Sequence, residues 1–278
     1  MKNIPAIAPA LTAEQFRFVA SVAHKEAGLV LVESKSSMIA ARLSKRTKEL
    51  KLPNLESYFK LLESEDGRNE TIHLLSALTT NVSHFFREEH HFQTLADEII
   101  PELKKKLESG TSVRIWSAGC STGQEIYSIA ITLHENLPNL QNYDLKLLAT
   151  DIDPQVIEFA MQGVYSERQV SSIPKNILSK YFIQTEDGQM RLSREIMNHV
   201  TFRRLNLLSE WPMKSNFDAI FCRNVVIYFD EKTQNDLWGR FTKILKKDGW
   251  LFIGHSERIQ EPGSYSLKTA GITTYRKL

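Results

Sequence analysis

The chain has 278 residues, of which 42% are hydrophobic and 24% are charged, and its formal net charge is +2. This composition is typical of a globular protein and excludes the disordered and collagen-like classes. The net charge says little about partners, although a nucleic-acid binder would more often be strongly basic. The longest apolar runs fall short of the ~20 residues that cross a bilayer, and the start of the chain lacks a signal-peptide pattern. We therefore expect a cytoplasmic location without membrane insertion.

The chain begins with a helical region that extends to about Gly110. Thr12-Ala13-Glu14-Gln15 has the spacing of a capping box, and an apolar stripe at helical period follows it. Further helices are predicted at roughly 36–51, 54–64, 69–79 and 89–108.

A polar run, residues 79–83, interrupts this region and leads directly into Phe85, Phe86 and Arg87. Polar clusters of this kind mark loops. A loop that ends in two aromatic residues and an arginine is expected to be packed against another part of the protein or to bind a ligand.

The texture changes after Gly110. Short apolar strands alternate with helical stretches, which predicts a mostly parallel sheet with helices on both faces. Three short strand-like pieces between about 180 and 203 break the alternation and predict a small antiparallel insertion. The predicted strands are "VRIWSAG", "LKLLATDID", "FDAIFCRNVVIYF" and "GWLFIGHSE".

Ligands bind such sheets at the carboxyl ends of the strands. The first strand ends in "SAGCSTGQE", whose glycines permit a tight turn before a helix, but the spacing matches neither a dinucleotide motif nor a P-loop. The second strand ends at Asp151, where a carboxylate can bind ribose hydroxyls, while Asp153 before Pro154 suits a helix N-cap. Glu125 is a second candidate, with a capping box from Thr122 as the alternative.

Six motifs occur along the chain in the order "LTTNVSHFFRE", "WSAGCSTGQEIYSIA", "TDID", "VTFRRLNLL", "FCRNVVIYF" and "GHSE". Together they resemble the chemotaxis receptor glutamate O-methyltransferases, and the resemblance extends from about Thr12 to the C-terminus. It implies an all-α domain over 1–88 and a doubly wound, Rossmann-like methyltransferase domain over 89–278, with a β insertion at about 180–203. It also implies S-adenosylmethionine as the cofactor and S-adenosylhomocysteine as the product.

The resemblance assigns the polar run to the cofactor pocket. Asn81, Ser83 and Arg87 would line the pocket as a lid from the helical domain, and Phe85 and Phe86 would anchor that lid in the core. The family often has threonine at the position of Ser83, and either hydroxyl can serve.

Within the sheet domain, the resemblance implies that Glu125 binds the amino group of the methionyl moiety and Asp151 binds the ribose. Asn206-Leu207 would surround the adenine, and Asn224-Val225 would close the pocket near the sulfonium. Asn206 and Asn224 also suit turns at the ends of strands, and this alternative stays open.

Arg87 and Tyr228 are the candidates for steering the substrate carboxylate, the first through charged donors and the second through its hydroxyl. The alternatives are a surface salt bridge from Arg87 to Glu88 or Glu89, and a core position for Tyr228. No general base is required, because a glutamate with a pKa of ~4.3 is already ionised at neutral pH.

The segment from Glu33 to Leu52 holds six basic and two acidic residues. Its helical spacing predicts that Arg42, Lys45 and Arg46 point outward, and the resemblance implies that they dock the cytoplasmic helical domain of a transmembrane chemoreceptor. An ordinary solvated face is the alternative.

Neither a metal nor a nucleic-acid partner is predicted, and a monomer is expected. His90 and His91 are adjacent, so their side chains should diverge on a helix without a carboxylate cluster beside them. Two rival functions stay open: a non-catalytic S-adenosylmethionine-binding signalling scaffold, and a methyltransferase that acts on another substrate.

Overall fold

The computed structural model describes residues 11–65, 67–79 and 81–278, which form two compact units. The first contains the helices before Asn81 together with Tyr228–Asp230, and the second contains Asn81–Ile227 and Glu231–Leu278. The start of the predicted helical domain, residues 1–10, and Thr80 of the polar run lie outside the described residues.

The first unit is helical, as predicted. The capping box is confirmed, because the Thr12 hydroxyl accepts the N–H of Gln15 at 3.1 Å and the Thr12 N–H donates to the Gln15 side chain at 3.0 Å. The predicted helices in this unit agree with the observed ones to within a few residues. They are α1 Ala13–Ala27, α2 Ser36–Glu49, α3 Leu55–Glu63 and α4 Gly67–Leu78.

The second unit starts with the segment Asn81–Glu89 and continues into the predicted 89–108 helix. This helix consists of α5 His90–Thr94, a π-helical turn Leu95–Ile99 and α6 Ile100–Glu108. Apolar residues of all three parts belong to the core of this unit.

A seven-stranded sheet forms the centre of the second unit, with the strand order β6-β2-β1-β7-β8-β10-β9. The pairings from β6 to β8 are parallel, and β10 and β9 are added antiparallel. The chain runs from β1 outward to β2 and β6, then returns to the other side of β1 at β7. This reversal is the topological switch point where α/β folds bind ligands. The strands are β1 Val113–Ala118, β2 Leu145–Asp151, β6 Val200–Arg204, β7 Phe217–Cys222, β8 Leu245–Ile253, β9 Leu267–Gly271 and β10 Thr274–Lys277.

An antiparallel insertion is present, as a three-stranded sheet in the order β3-β5-β4, but the prediction of its strands was wrong for one of the three. The last predicted piece is β6, which pairs parallel to β2 at the edge of the main sheet, and β3 takes its place in the insertion. Its strands are β3 Val164–Tyr165, β4 Phe182–Gln184 and β5 Met190–Leu192. The remaining helices are α7 Gln124–Asn136, α8 Pro154–Gln162, α9 Glu167–Val170, α10 Lys175–Tyr181, α11 Arg194–Met197 and α12 Glu231–Ile244. Across the described ranges, none of the helices has both the length and the apolarity needed to cross a membrane.

Candidate active site

The loops after β1 and β7 meet at the switch point. Gly119 and Gly123, which flank the turn after β1, have left-handed backbones with φ of 92° and 91°. A Cβ atom on Gly119 would lie 2.4 Å from Cγ2 of Val225, which follows β7. Only glycine therefore allows this close approach of the two loops.

Asp151 ends β2 beside the same turn, and its side chain is buried. Its carboxylate accepts the N–H of Ser121 at 2.8 Å and the N–H of Asp153 at 3.0 Å. Burial raises the pKa of Asp151 to about 6, and these backbone hydrogen bonds oppose the rise. Asp153, not Asp151, caps α8, because its side chain accepts the N–H of Gln155 at 2.9 Å. Asp151 therefore keeps lone pairs that can bind a ligand.

Glu125 lies in the first turn of α7, and its carboxylate points to β1 and β7. It accepts the hydroxyl of Ser117 at 2.7 Å and an N–H of Arg223 at 3.1 Å. Burial raises the pKa of Glu125, while Arg223 and Ser117 act against the rise. The alternative capping box does not form, since the Thr122 hydroxyl instead donates to the Gln124 side chain at 2.7 Å.

Arg223 links Glu125 to a second carboxylate, Glu88. The arginine side chain is only 2% exposed, and its Nη2 lies 3.2 Å from Oε2 of Glu88 and also donates to the carbonyl of Arg87. Burial alone would raise the pKa of Glu88, but Arg223 and hydrogen bonds from His255 lower it to about 2. Arg223 was not among the predicted site residues. Its position directly after an apolar strand, where ligands bind in such sheets, could have indicated a functional charge.

The segment 81–89 is tied to this edge of the sheet. The Asn81 amide donates to Asp153 at 2.9 Å, and its carbonyl accepts the hydroxyl of Ser121 at 3.0 Å. Phe85 is buried against Tyr165 and Phe182, with ring centroids 5.0 and 5.6 Å away. The predicted anchoring of this loop by its aromatic residues is confirmed, since Phe85 lies in the core and Phe86 packs against it. The prediction that the loop belongs to the helical domain is wrong, because the segment from Asn81 onward is part of the second unit.

Arg87 is held more loosely than Arg223. Its side chain is 28% exposed, its Nε lies 3.9 Å from Glu88, and its Nη1 donates to the Val82 carbonyl at 3.4 Å. The alternative salt bridge to Glu88 is thus present only as a long contact. Ser83 follows Val82 in the chain and is half-buried.

The other predicted cofactor residues lie in loops after β6 and β7. Asn206 forms a turn after β6, because its side chain accepts the N–H of Leu208 at 2.9 Å. This is the alternative to a cofactor-binding role for this residue. Leu207 is buried. Asn224 has a left-handed φ of 58°, and its amide lies 3.4 Å from Glu88.

Tyr228 belongs to the first unit. It ends the short 3₁₀ helix Val226–Tyr228, and its carbonyl accepts the N–H of Val30 at 2.8 Å. Its predicted steering role stays a prediction.

The prediction that three cations of α2 point outward is wrong for two of them. Arg42 donates from Nη1 to the carbonyls at the end of α4, at distances of 2.8 to 3.1 Å. Arg46 binds both oxygens of the buried Glu70 at 2.8 Å. Lys45 does point outward, with 81% of its side chain exposed. The helical period located the apolar stripe but could not show which partner lies beside each arginine.

The expected divergence of His90 and His91 is also wrong, because their ring centroids are 4.2 Å apart. Glu88, His90 and His91 each place a possible ligand atom within 4.8 Å of the others. The Arg223 guanidinium, however, already lies beside the Glu88 carboxylate, where it would repel a metal cation. We therefore do not assign a metal site to this cluster, and the absence of a metal stays a prediction.

The donor set at the switch point suits a cofactor with an amino acid end and a nucleoside end. Glu125, whose side chain is 11% exposed, offers a carboxylate for an ammonium group, and the buried Asp151 offers one for vicinal hydroxyls. Gly119 and Gly123, at the two ends of the turn after β1, carry no side chain themselves. S-adenosylmethionine carries both kinds of group.

Two family models match the chain. Residues 81–275 match the model described as CheR methyltransferase, SAM binding domain, and residues 14–79 match CheR methyltransferase, all-alpha domain. The predicted cofactor, S-adenosylmethionine, and the predicted succession of an all-α and a methyltransferase domain are thereby confirmed.

Named relatives are similar over most of the chain. A probable chemotaxis protein methyltransferase of Rhizobium etli is 43% identical over 256 residues, which cover 91% of this chain and 96% of the relative. The chemotaxis protein methyltransferase of Borreliella burgdorferi is 39% identical and covers 96% of this chain and 95% of its own length. That of Escherichia coli is 40% identical, with 89% and 85% covered. These names give no support to the scaffold alternative.

Proposed function

Since the chain belongs to the CheR family of chemotaxis methyltransferases, we propose that it methylates glutamate side chains of chemoreceptors. The products would be glutamate methyl esters and S-adenosylhomocysteine. The partner would be the cytoplasmic helical domain of a transmembrane receptor, which implies a cytoplasmic location, and the enzyme would act as a monomer.

The weakly held guanidinium of Arg87 carries this proposal. Arg223 is buried and shared between two carboxylates, whereas Arg87 is 28% exposed and, among the described residues, contacts Glu88 at 3.9 Å and the Val82 carbonyl at 3.4 Å. A partly exposed arginine beside the cofactor site can bind an incoming carboxylate through charged hydrogen bonds. A glutamate substrate needs this orientation but no proton transfer, because its carboxylate is already the nucleophile.

Each cofactor contact is proposed from the geometry of this chain's own side chains. Glu125, whose carboxylate lies 3.1 Å from Arg223, would bind the amino group, and Asp151 would accept hydrogen bonds from the ribose hydroxyls. Asn206-Leu207 would border the adenine, and Asn224-Val225 would border the sulfur. Asn81 and Ser83 would complete the pocket with Arg87.

The bound cofactor supplies an electrophilic methyl group on its sulfonium. The protein then has to hold the glutamate oxygen in line with that methyl group. Orientation of this kind can contribute on the order of 7–11 kcal/mol to lowering the barrier. Arg87 and Tyr228 are the proposed orienting residues.

The test is transfer of labelled methyl groups from S-adenosylmethionine to membranes that carry chemoreceptors. We expect label on the receptor that is released by mild base as methanol, since carboxylate esters hydrolyse and N-methyl groups do not. A receptor with glutamine at its methyl-accepting positions is the control and should stay unlabelled. Base-stable label, or label in that control, would contradict glutamate methylation.

A further inference from the structure

The buried carboxylate of Glu257, in the loop after β8, has an unusual set of partners. Its Oε2 accepts the N–H groups of Asn224 at 3.0 Å and Gly254 at 2.5 Å. Its Oε1 accepts those of Val226 at 2.9 Å and Ile227 at 3.3 Å. Four backbone donors from two neighbouring loops thus converge on one side chain.

The loop after β7 is fitted closely between its two neighbours in the sheet. On one side, a Cβ atom on Gly254 would lie 2.4 Å from Nδ2 and 2.6 Å from the backbone nitrogen of Asn224. On the other side, Gly119 leaves room for the side chain of Val225. The loops after β1 and β8 therefore fix where Asn224 and Val225 lie.

Only a carboxylate can hold this arrangement. Buried N–H groups without an acceptor are costly, and the left-handed backbone of Asn224 turns several of them toward Glu257. A carboxylate accepts at both oxygens, whereas a glutamine amide would direct its NH₂ group at two of the four donors. A glutamine at residue 257 would therefore release one part of the loop.

We propose that Glu257 is a positioning residue, which holds the loop after β7 in the conformation that binds the cofactor. It acts through Asn224 and Val225, which the proposed function places beside the sulfur. It also sets the start of that loop, from which Arg223 reaches Glu125 at 3.1 Å. This inference rests on the proposed function.

The test measures binding of S-adenosylhomocysteine by calorimetry, and steady-state kinetics with S-adenosylmethionine, in Glu257→Gln. We expect the Kd and the KM for the cofactor to rise about five- to fiftyfold, as for a lost set of buried hydrogen bonds. The KM for the receptor should change by less than about twofold, because the receptor-binding groups are untouched.

Asp218→Asn is the matched control. Asp218 is equally buried, but it lies at the amino end of β7, where it binds Lys106 and Lys246. This variant should lower the thermal midpoint and leave the cofactor Kd unchanged. If Glu257→Gln behaves in the same way, Glu257 is only structural and the proposal is overturned.

A second variant keeps the carboxylate and moves the loop. Gly254→Ala would drive a methyl group into Asn224, and it should raise the cofactor Kd like Glu257→Gln. The wild-type chain gives an independent measurement if neither variant folds: the amides of Asn224, Val226 and Ile227 should be protected from hydrogen exchange without cofactor. Fast exchange there would overturn the proposal.

Asp151→Ala separates this inference from the proposed cofactor site. Weaker binding in Asp151→Ala with unchanged binding in Glu257→Gln and Gly254→Ala would leave the site in place and remove the role of Glu257. Unchanged binding in Asp151→Ala as well would remove Asp151 from the proposed cofactor site and so count against the proposed contacts themselves.

Discussion

The two ends of β7 hold buried charges in opposite ways. At the amino end, the Asp218 carboxylate is bound by Lys106 at 2.9 Å, Lys246 at 2.7 Å and the N–H of Arg114 at 2.9 Å. At the carboxyl end, Arg223 divides its charge between Glu88 and Glu125. Within the described ranges, Nε of Arg223 and Nδ1 of the buried His91 have no hydrogen-bond partner.

This difference separates a closed network from an open one. Buried polar groups are normally paired, so a cluster of unpaired ones calls for an explanation. In the closed network of Asp218, donors from Lys106, Arg114 and Lys246 already occupy both carboxylate oxygens. An open network keeps capacity for a ligand, which agrees with its place at the switch point.

The largest expected effect tests the carboxyl end of β2, which β1 separates from β7 in the sheet. Asp151→Ala should raise the Kd for S-adenosylhomocysteine about ten- to a hundredfold, because ribose hydroxyls would lose an acceptor worth ~1–3 kcal/mol. Asp144→Ala, at the other end of β2, is the control and should leave that Kd unchanged, since Asp144 forms an ion pair with Arg114 away from the switch point. Calorimetry on both variants measures this, and equal affinities would remove Asp151 from the site.

The next effect is the pH dependence of cofactor binding. Burial raises the pKa of Asp151 to about 6, against the backbone hydrogen bonds that it accepts, so the carboxylate takes up a proton below that pH. Affinity for S-adenosylhomocysteine should then fall about fivefold between roughly pH 6 and pH 5. Glu125, whose pKa burial also raises against Arg223, would act in the same direction.

The contribution of Asp151 to the free energy of unfolding should change in the opposite direction as the pH falls from about 6 to about 4. An unfolded aspartate has a pKa of ~3.9, so between about pH 4 and pH 6 the folded chain binds more protons at Asp151 than the unfolded chain. The contribution of Asp151 to folding therefore becomes more favourable as the pH falls. Calorimetry at several pH values measures the Kd, and denaturant melts of Asp151→Asn measure the effect on the free energy of unfolding. A Kd that does not change with pH would contradict the predicted loss of affinity.

The sequence was sufficient to predict elements whose signal is local. The capping box at Thr12, the apolar strands and Asp151 at a strand tip all follow from residues close together in the chain. Glu257 and Arg223 were missed because their partners are distant: Asn224 is 33 residues from Glu257, and Glu125 is 98 from Arg223. Such pairs exist only after the parallel strands have aligned their ends.

Tyr228 tests whether the stretch after β7 also contributes to chemistry. Tyr228→Phe removes only a hydroxyl, so methyl transfer should slow about three- to tenfold, as for one hydrogen bond of ~0.5–1.5 kcal/mol. The Kd for S-adenosylhomocysteine should stay the same. Rapid-quench assays at saturating receptor measure the first and calorimetry the second. Unchanged turnover would make Tyr228 a packing residue.

The cations of α2 also fall into two groups, the arginines that bind other protein groups and the lysines that are exposed. Arg42 is bound to the carbonyls at the end of α4, and Arg46 is bound to Glu70, which in turn accepts the hydroxyl of Tyr58 at 2.9 Å. Substituting either arginine would leave buried groups unpaired, so reduced activity could result from unfolding. The exposed lysines of this helix are the better probes of docking.

The smallest expected effect therefore comes from Lys45→Glu combined with Lys48→Glu, both on exposed positions of α2. If this face docks an anionic receptor helix, the apparent KM for receptor should rise about two- to threefold at low salt. The dependence of this KM on salt should flatten, because the variant lacks the lysine charges whose attraction salt screens. That screening acts beyond a Debye length of ~8 Å at physiological ionic strength. Lys104→Glu with Lys105→Glu, exposed on α6, makes the same charge change elsewhere and should leave the KM unchanged. An equal rise in that control would attribute the effect to net charge and leave α2 with an ordinary solvated face.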